Sequence, residues 1–231
     1  MAKLVSFDVG LTLLHTSPGV PWALYSSATK FGYKLNYITI LKQFSSMDTF
    51  YENANSVNPD FWLAPKTCYE FWYSYYSEYC RLVGIIEHLD EIVEGLIHIY
   101  TSSLGWALYD DVMPLFRALK SKDIEIAVIT NWGGVELPRI LADLGLSDFC
   151  SHLSTAATTG KRKPDPALFL DAYNALGVQA KDVIHVGDSL ERDGVGAELS
   201  GACPLIIDRL HKRESCPYDV IRNLDEVIRY I

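Results

Sequence analysis

Short, mainly apolar runs, separated by segments with helical spacing, occur at the start of the chain and throughout its second half. The runs lie at residues 3–8, 124–129, 149–153, 183–186 and 203–207. Runs of this length are typical of strands that are buried on both faces of a parallel sheet. The later runs alternate with helices of about 10–12 residues, which indicates right-handed βαβ units. The pattern therefore predicts an α/β fold with a doubly wound parallel sheet of five strands.

Residues 16–100 show a different pattern, because their apolar side chains recur at helical spacing. The segment from Leu89 to Tyr100, for example, places its apolar residues on one side of a helix. The interval between the first two predicted strands is far too long for a single crossover connection. We therefore expect residues 1–15 and 101–231 to form the α/β core, and residues 16–100 to form a second, smaller helical domain.

Polar residues that suit phosphoryl transfer follow the predicted strands. Asp8 and Thr130 end the first two, and Asp188 ends the fourth, with Asp193 five residues later. Lys163 precedes that fourth strand in a Lys-Pro-Asp-Pro segment. Ligands of parallel α/β sheets bind outside the carboxyl ends of the strands, so we expect these segments to converge. There Asp8 can be a nucleophile, Thr130 an oxyanion donor and Lys163 a charge clamp. Asp188 and Asp193 can bind a metal.

Each segment also has a purely structural interpretation. Thr130 and Asn131 are suited to cap the helix that follows them. Asp165, followed by Pro166, is a good helix start. A helix start does not account for Lys163, however, and the complete ordered set of segments is more specific than any one of them.

The four segments resemble the motifs of the haloacid dehalogenase (HAD) superfamily of aspartate-nucleophile hydrolases. The matching stretches are Asp8-Val9-Gly10-Leu11-Thr12-Leu13, Thr130-Asn131, Lys163-Pro164-Asp165-Pro166 and Gly187-Asp188-Ser189-Leu190-Glu191-Arg192-Asp193. The resemblance covers residues 1–15 and about 105–210. It implies a HAD-like, Rossmannoid core with a helical cap domain, here residues 16–100, inserted after the first motif.

The resemblance also implies roles for individual residues. Asp8 would attack phosphorus and form an aspartyl-phosphate, which divides one difficult displacement into two steps. Thr12 occupies the position of the small hydroxyl residue that supports the loop. Thr130, Asn131 and Lys163 complete the catalytic set. A cation facing Asp8 would hold it ionised and stabilise charge on the transferring phosphoryl group.

A Mg²⁺ cofactor is implied in the same way. Asp8, the backbone carbonyl of Gly10 and Asp188 would bind the ion directly, with Asp193 either a ligand or a support for one. Hard oxygen atoms of this kind are the ligands that Mg²⁺ prefers. Two like charges about 4 Å apart repel by roughly 4 kcal/mol at an effective dielectric of about 20, so converging carboxylates need a cation.

Gly10 departs from the family pattern, since phosphatases of the family usually carry a second aspartate at this position. That aspartate protonates the leaving oxygen, and general acid–base catalysis contributes roughly 10²–10⁴ in rate. Its absence favours acyl or aryl phosphates, whose leaving groups need no proton. His15 or Tyr25 could replace the acid, or the chain could bind a ligand without turnover.

The dehalogenase branch of the family also lacks the second aspartate, because halide leaves without protonation. It needs no metal, however, and has neutral polar residues where Asp188 stands here. The sequence therefore predicts a hydrolase, a Mg²⁺-dependent phosphatase for a small phosphorylated metabolite (a phosphoric monoester or acyl phosphate). A 2-haloacid dehalogenase and a non-catalytic ligand-binding HAD protein remain the alternatives.

Composition limits the partners and the compartment. The chain has 231 residues and a net charge of −9, which disfavours nucleic acid as the main partner. No apolar run approaches the ~20 residues of a membrane-spanning helix, and no signal-peptide pattern is present. The five scattered cysteines indicate free thiols. We expect a cytoplasmic enzyme acting on a small molecule.

Overall fold

The buried apolar runs form the strands of one parallel sheet. The structure is a computed structural model that describes residues 2–211, 213 and 215–231. Its strands are β1 (Leu4–Phe7), β2 (Leu14–Thr16), β3 (Trp106–Leu108), β4 (Glu125–Thr130), β5 (His152–Thr155), β6 (Val183–Gly187), β7 (Cys203–Ile207) and β8 (Asp219–Ile221). Six of them form the parallel sheet in the order β5-β4-β1-β6-β7-β8, and β2 pairs with β3 in a separate ribbon.

Strand register brings the candidate residues to one edge of the sheet. Phe7, the last residue of β1, is paired with Val128 in β4 and with Val186 in β6. All four residues of β1 are buried, as expected for the central strand of a parallel sheet. The residues that follow β1, β4 and β6 therefore share the carboxyl edge, where ligands of such sheets bind.

Helices connect and flank the strands. They are α1 (Val20–Lys30), α2 (Tyr37–Val57), α3 (Pro65–Leu82), α4 (Leu89–Tyr100), α5 (Val112–Lys120), α6 (Leu137–Asp143), α7 (Ala156–Thr159), α8 (Pro166–Ala175) and α9 (Gly196–Ser200). Short 3₁₀ helices cover Pro59–Leu63, Ser103–Gly105, Ala180–Asp182 and Leu224–Tyr230, and a π-helix covers Leu190–Val195. No helix of the described residues is both long and apolar enough to cross a membrane.

The predicted α/β fold with a doubly wound parallel sheet is confirmed, but the sheet has six strands, not five. The additional strand, β8, has only three residues, two of them exposed. Such a short edge strand lacks the continuous apolar run that marks the buried strands. The helical segment that follows β6 is also irregular, because it begins with the π-helix over Leu190–Val195 before α9.

The chain divides into two compact units. One comprises Met1–His15, Leu108–Trp132 and Leu141–Ile231 and contains the parallel sheet. The other comprises Thr16–Ala107 and Gly133–Ile140, and its buried core includes Leu24, Ile40, Tyr79, Ile92 and Leu96. The domain limits expected from the sequence stay a prediction.

Candidate active site

Asp8 lies directly after the central strand of the sheet. Its backbone N–H donates to the carbonyl of Val186 at 2.9 Å, which extends the pairing of β1 with β6 by one residue. The residue is 8% exposed. Its Oδ1 accepts a hydrogen bond from the Nζ of Lys163 at 2.5 Å. A carboxylate is thus held at the strand end beside a cation.

Lys163 lies between two carboxylates and is almost completely buried. Its Nζ is 2.5 Å from an oxygen of Asp8 and 2.5 Å from an oxygen of Asp193. Burial alone would lower the pKa of Lys163, but the two carboxylates outweigh this effect and raise it. The ammonium is therefore retained at the centre of the site, where charge-assisted hydrogen bonds are strong.

Asn131 anchors the backbone of this lysine. Its side-chain carbonyl accepts from the Lys163 N–H at 2.6 Å, and its amide donates to the Lys163 carbonyl at 3.2 Å. Thr130, one residue earlier, is buried at the end of β4. Within the described residues, its hydroxyl makes no hydrogen bond to the carboxylate cluster. Asn131 thus joins the β4 edge to the Lys163 segment.

Asp193 is held by three donors. Its Oδ1 accepts from Lys163 and lies 3.2 Å from the His185 Nε2, and its Oδ2 accepts from the Ser189 N–H at 2.9 Å. Burial favours a higher pKa for Asp193, but the Lys163 and His185 interactions hold this pKa below its usual range. A Cβ on Gly187 would come within 2.1 Å of the Asp193 Cγ. Glycine at 187 therefore leaves the space that the carboxylate occupies.

Asp188 completes a cluster of three carboxylates with Asp8 and Asp193. One ligand oxygen from each lies within 4.8 Å of the others. Burial, followed by the charges of Asp8 and Asp193, raises the pKa of Asp188 to about 7. Three crowded oxygen ligands with a single buried ammonium fit a divalent cation such as Mg²⁺. Gly10, whose carbonyl was a predicted ligand, pairs in an isolated bridge with Leu14.

Thr12 is completely buried in the loop after Asp8. Its hydroxyl has no hydrogen-bond partner among the described residues, whereas its carbonyl accepts from Arg209 at 2.6 Å and 3.1 Å. The Arg209 guanidinium also binds both oxygens of Asp111 and covers the Tyr109 ring at 3.7 Å. The loop is thus supported through a backbone carbonyl, by an arginine that the sequence did not identify.

Space for a ligand is present beside Asp188. A cavity of about 310 Å³ is lined there by Leu11, Tyr109, Arg209 and Arg213, together with Asp188 itself. Arg213 donates to the Asp188 carbonyl at 2.5 Å. Asp188 is half-buried, whereas Asp193 is fully buried.

His185 is the main site residue that sequence reasoning missed. It lies in β6 in register with Ser6 of β1, and the Ser6 hydroxyl is 2.9 Å from its Nδ1. Burial lowers the pKa of His185, partly opposed by Asp193. The sequence signal that could have identified it is the presence of one polar residue, Ser6 or His185, within each of two otherwise apolar strands. Of the proposed acid substitutes, His15 has its ring against Tyr109, which also lines the cavity beside Asp188, and Tyr25 packs against aromatic residues of α1 and α2. Their role as proton donors stays a prediction.

Comparison with known proteins finds similar sequences and structures. A family model described as a haloacid dehalogenase-like hydrolase matches residues 2–201. The haloacid dehalogenase-like hydrolase domain-containing protein 3 of Danio rerio is 26% identical over 143 residues, covering 60% of this chain and 59% of the relative. A glyceraldehyde 3-phosphate phosphatase of Methanopyrus kandleri is 29% identical over 119 residues, covering 52% and 49%. The chain thus spans about half to three fifths of these relatives.

Solved structures share the fold. The HAD-hydrolase YfnB from Bacillus subtilis, described as putative and bound to magnesium, superposes with a TM-score of 0.80. It is 19% identical, and the match covers 99% of this chain and 98% of that one. Structures described as dehalogenases show the same fold. At these identities, the likeness concerns the fold alone.

Proposed function

Since the chain belongs to the haloacid dehalogenase-like hydrolase family, we propose that it is a Mg²⁺-dependent phosphatase acting on a small phosphorylated metabolite. The observation that carries this proposal is the arrangement around Asp8. Its carboxylate lies beside the buried Lys163 ammonium and within one cluster with Asp188 and Asp193. A nucleophile, a fixed cation and a set of metal ligands therefore occupy one strand edge.

The proposed reaction proceeds through Asp8. One of its oxygens forms a bond to phosphorus while the bond from phosphorus to the leaving oxygen breaks, and water then hydrolyses the aspartyl-phosphate to regenerate the carboxylate. Lys163 stabilises negative charge on the transferring group from a fixed position. When bound, Mg²⁺ would supply further positive charge to the phosphoryl oxygens. Asp8, Asp188 and the Gly10 carbonyl are the proposed ligands, supported by Asp193.

Gly10 shapes the proposed substrate class. With no carboxyl group at this position, the site lacks the family's usual proton donor for the leaving oxygen. A general acid contributes roughly 10²–10⁴ in rate when the leaving group is poor. We therefore infer that acyl and aryl phosphates are hydrolysed faster than sugar phosphates.

The second candidate function is that of a 2-haloacid dehalogenase. Gly10 favours it, because halide needs no proton, and solved dehalogenases share the fold. Asp188 favours the phosphatase, because its carboxylate adds a third negative charge that a metal-free dehalogenase site does not need. In the proposed phosphatase, residues 16–100 form a helical cap that selects the substrate.

A substrate panel tests these proposals. Acetyl phosphate, p-nitrophenyl phosphate, sugar phosphates and 2-chloropropionate are supplied with Mg²⁺ or with a chelator. Release of phosphate that stops with the chelator supports the phosphatase. Release of chloride that ignores the chelator supports the dehalogenase. Stabilisation by a ligand, with no turnover of any compound, supports a binding protein.

A further inference from the structure

A string of buried polar side chains runs behind the candidate nucleophile. The Ser6 hydroxyl is 2.9 Å from the His185 Nδ1, and the His185 Nε2 is 3.2 Å from an oxygen of Asp193. The same oxygen accepts from Lys163, whose ammonium is 2.5 Å from Asp8. Side chains from two neighbouring strands, the π-helix and two loops thus form one continuous chain of contacts that ends at Asp8.

The inner end of this string lies in the apolar part of the sheet. Ser6 and His185 are register partners in β1 and β6, and both are at most 1% exposed. The Phe169 ring and the imidazole pack edge to face, with ring centroids 4.9 Å apart. Burying polar groups costs free energy unless they are hydrogen-bonded, and an apolar residue would fill this position without that cost. A histidine at this buried position therefore indicates that the hydrogen bonds of its ring have a role in the site.

The contacts define which ring nitrogen carries the proton. Asp193 is an acceptor, so the His185 Nε2 donates to it, and in the neutral ring the Nδ1 can then accept from the Ser6 hydroxyl, which also lies 3.5 Å from the Ile184 carbonyl oxygen. The imidazole and the Lys163 ammonium then both donate to the same oxygen of Asp193. Two donors on one oxygen, with the Ser189 N–H on the other, restrict the orientation of the carboxylate.

We propose that His185 is a positioning residue that fixes the Lys163 ammonium through Asp193 and thereby holds it against Asp8. The inference rests on the phosphatase function proposed above. His185 does not contact the substrate in this role. A displacement of about 1 Å at a reacting group costs roughly 10²-fold in rate, so loss of this support should appear in kcat.

Three variants at this position separate positioning from packing. In His185→Gln, the amide reaches about as far as the Nε2 atom and still donates to Asp193. In His185→Asn, the shorter amide reaches only the Ser6 side. His185→Leu removes both contacts. We expect kcat within about threefold of the wild type for Gln and a loss of about 10- to 100-fold for Asn and Leu, with little change in KM.

Two further measurements complete the test. Thermal unfolding identifies any variant that fails to fold, and NMR of isotope-labelled lysine in the metal-free protein follows the Lys163 ammonium directly. We expect its resonance to shift in the Asn and Leu variants and to stay in place in Gln. Equal kcat values and lysine spectra in all three folded variants would overturn the positioning role. A wild-type protein without phosphatase activity would refute the proposed function, while the lysine spectra would still decide the role of His185.

Discussion

Gly10 is the residue at which the candidate site differs most from a family phosphatase, and the structure has room for a Cβ atom at this position. A Cβ at Gly10 meets no atom within 4 Å, and its φ is outside the left-handed region. Gly10→Asp should raise kcat/KM for alkyl phosphates by about 10- to 100-fold and for aryl phosphates by less, because only poor leaving groups need the proton. Steady-state kinetics on both substrate series measures the difference. An unchanged leaving-group dependence in the folded variant would indicate another proton donor.

The pKa of Asp188 makes stability depend on pH. Because this pKa is raised from 3.8 to about 7 in the folded protein, the folded state keeps a proton that the unfolded state has lost between these values. The stability of the metal-free protein should therefore fall as pH rises through this window. Mg²⁺ should restore it near pH 8, since the ion binds only the folded site.

Thermal unfolding of the wild type and of Asp188→Asn, each at pH 5 and near pH 8, tests this account. The decrease in Tm toward high pH should be smaller in the variant, and Mg²⁺ should no longer raise its Tm. Identical pH profiles and identical responses to Mg²⁺ in the two proteins would refute the interpretation that Asp8 and Asp193 raise the pKa of Asp188.

At the residue scale, sequence predicted that Asp8, Lys163, Asp188 and Asp193 lie together, because segments that follow parallel strands converge at their carboxyl ends, and the structure brings these four residues together. His185 was missed, because its importance depends on its contact with Asp193, and no local pattern encodes that geometry.

The element that carries the fourth motif depends on a glycine. Gly187, the last residue of β6, faces the Asp193 side chain so closely that a Cβ would overlap it. Gly187→Ala should therefore displace Asp193, destabilise the fold by about 1–3 kcal/mol and reduce kcat. Gly10→Ala is the matched control, since the same added methyl meets open space there. Chemical denaturation measures the free energy of unfolding of the two variants, and steady-state kinetics measures their kcat. Equal losses in both variants would contradict the claim that a Cβ at position 187 overlaps Asp193.

At the element scale, long apolar runs were predictable and short or irregular elements were not. The strand predicted at residues 203–207 is β7. The three-residue β8 and the π-helix over Leu190–Val195 depend on tertiary packing, which overrides weak local preferences. In the π-helix, the backbone N–H groups of both Asp193 and Gly194 donate to the Ser189 carbonyl.

At the scale of the whole molecule, the order of the motifs predicted the family and the α/β fold, because both depend on strand order and strand-end chemistry. The substrate is not encoded in this way. In the proposed phosphatase, substrate choice belongs to the helical segment over residues 16–100, where apolar spacing determines helices but no motif marks a binding residue.

The central claim is that Asp8 becomes phosphorylated. The most direct measurement supplies acetyl phosphate and Mg²⁺, quenches the reaction during turnover, reduces the acyl phosphate with borohydride and maps the peptides by mass spectrometry. The account predicts modification at Asp8 alone, dependent on Mg²⁺, and its loss together with turnover in a folded Asp8→Asn variant. Full turnover in Asp8→Asn, or phosphate release without any modification at Asp8, would contradict it.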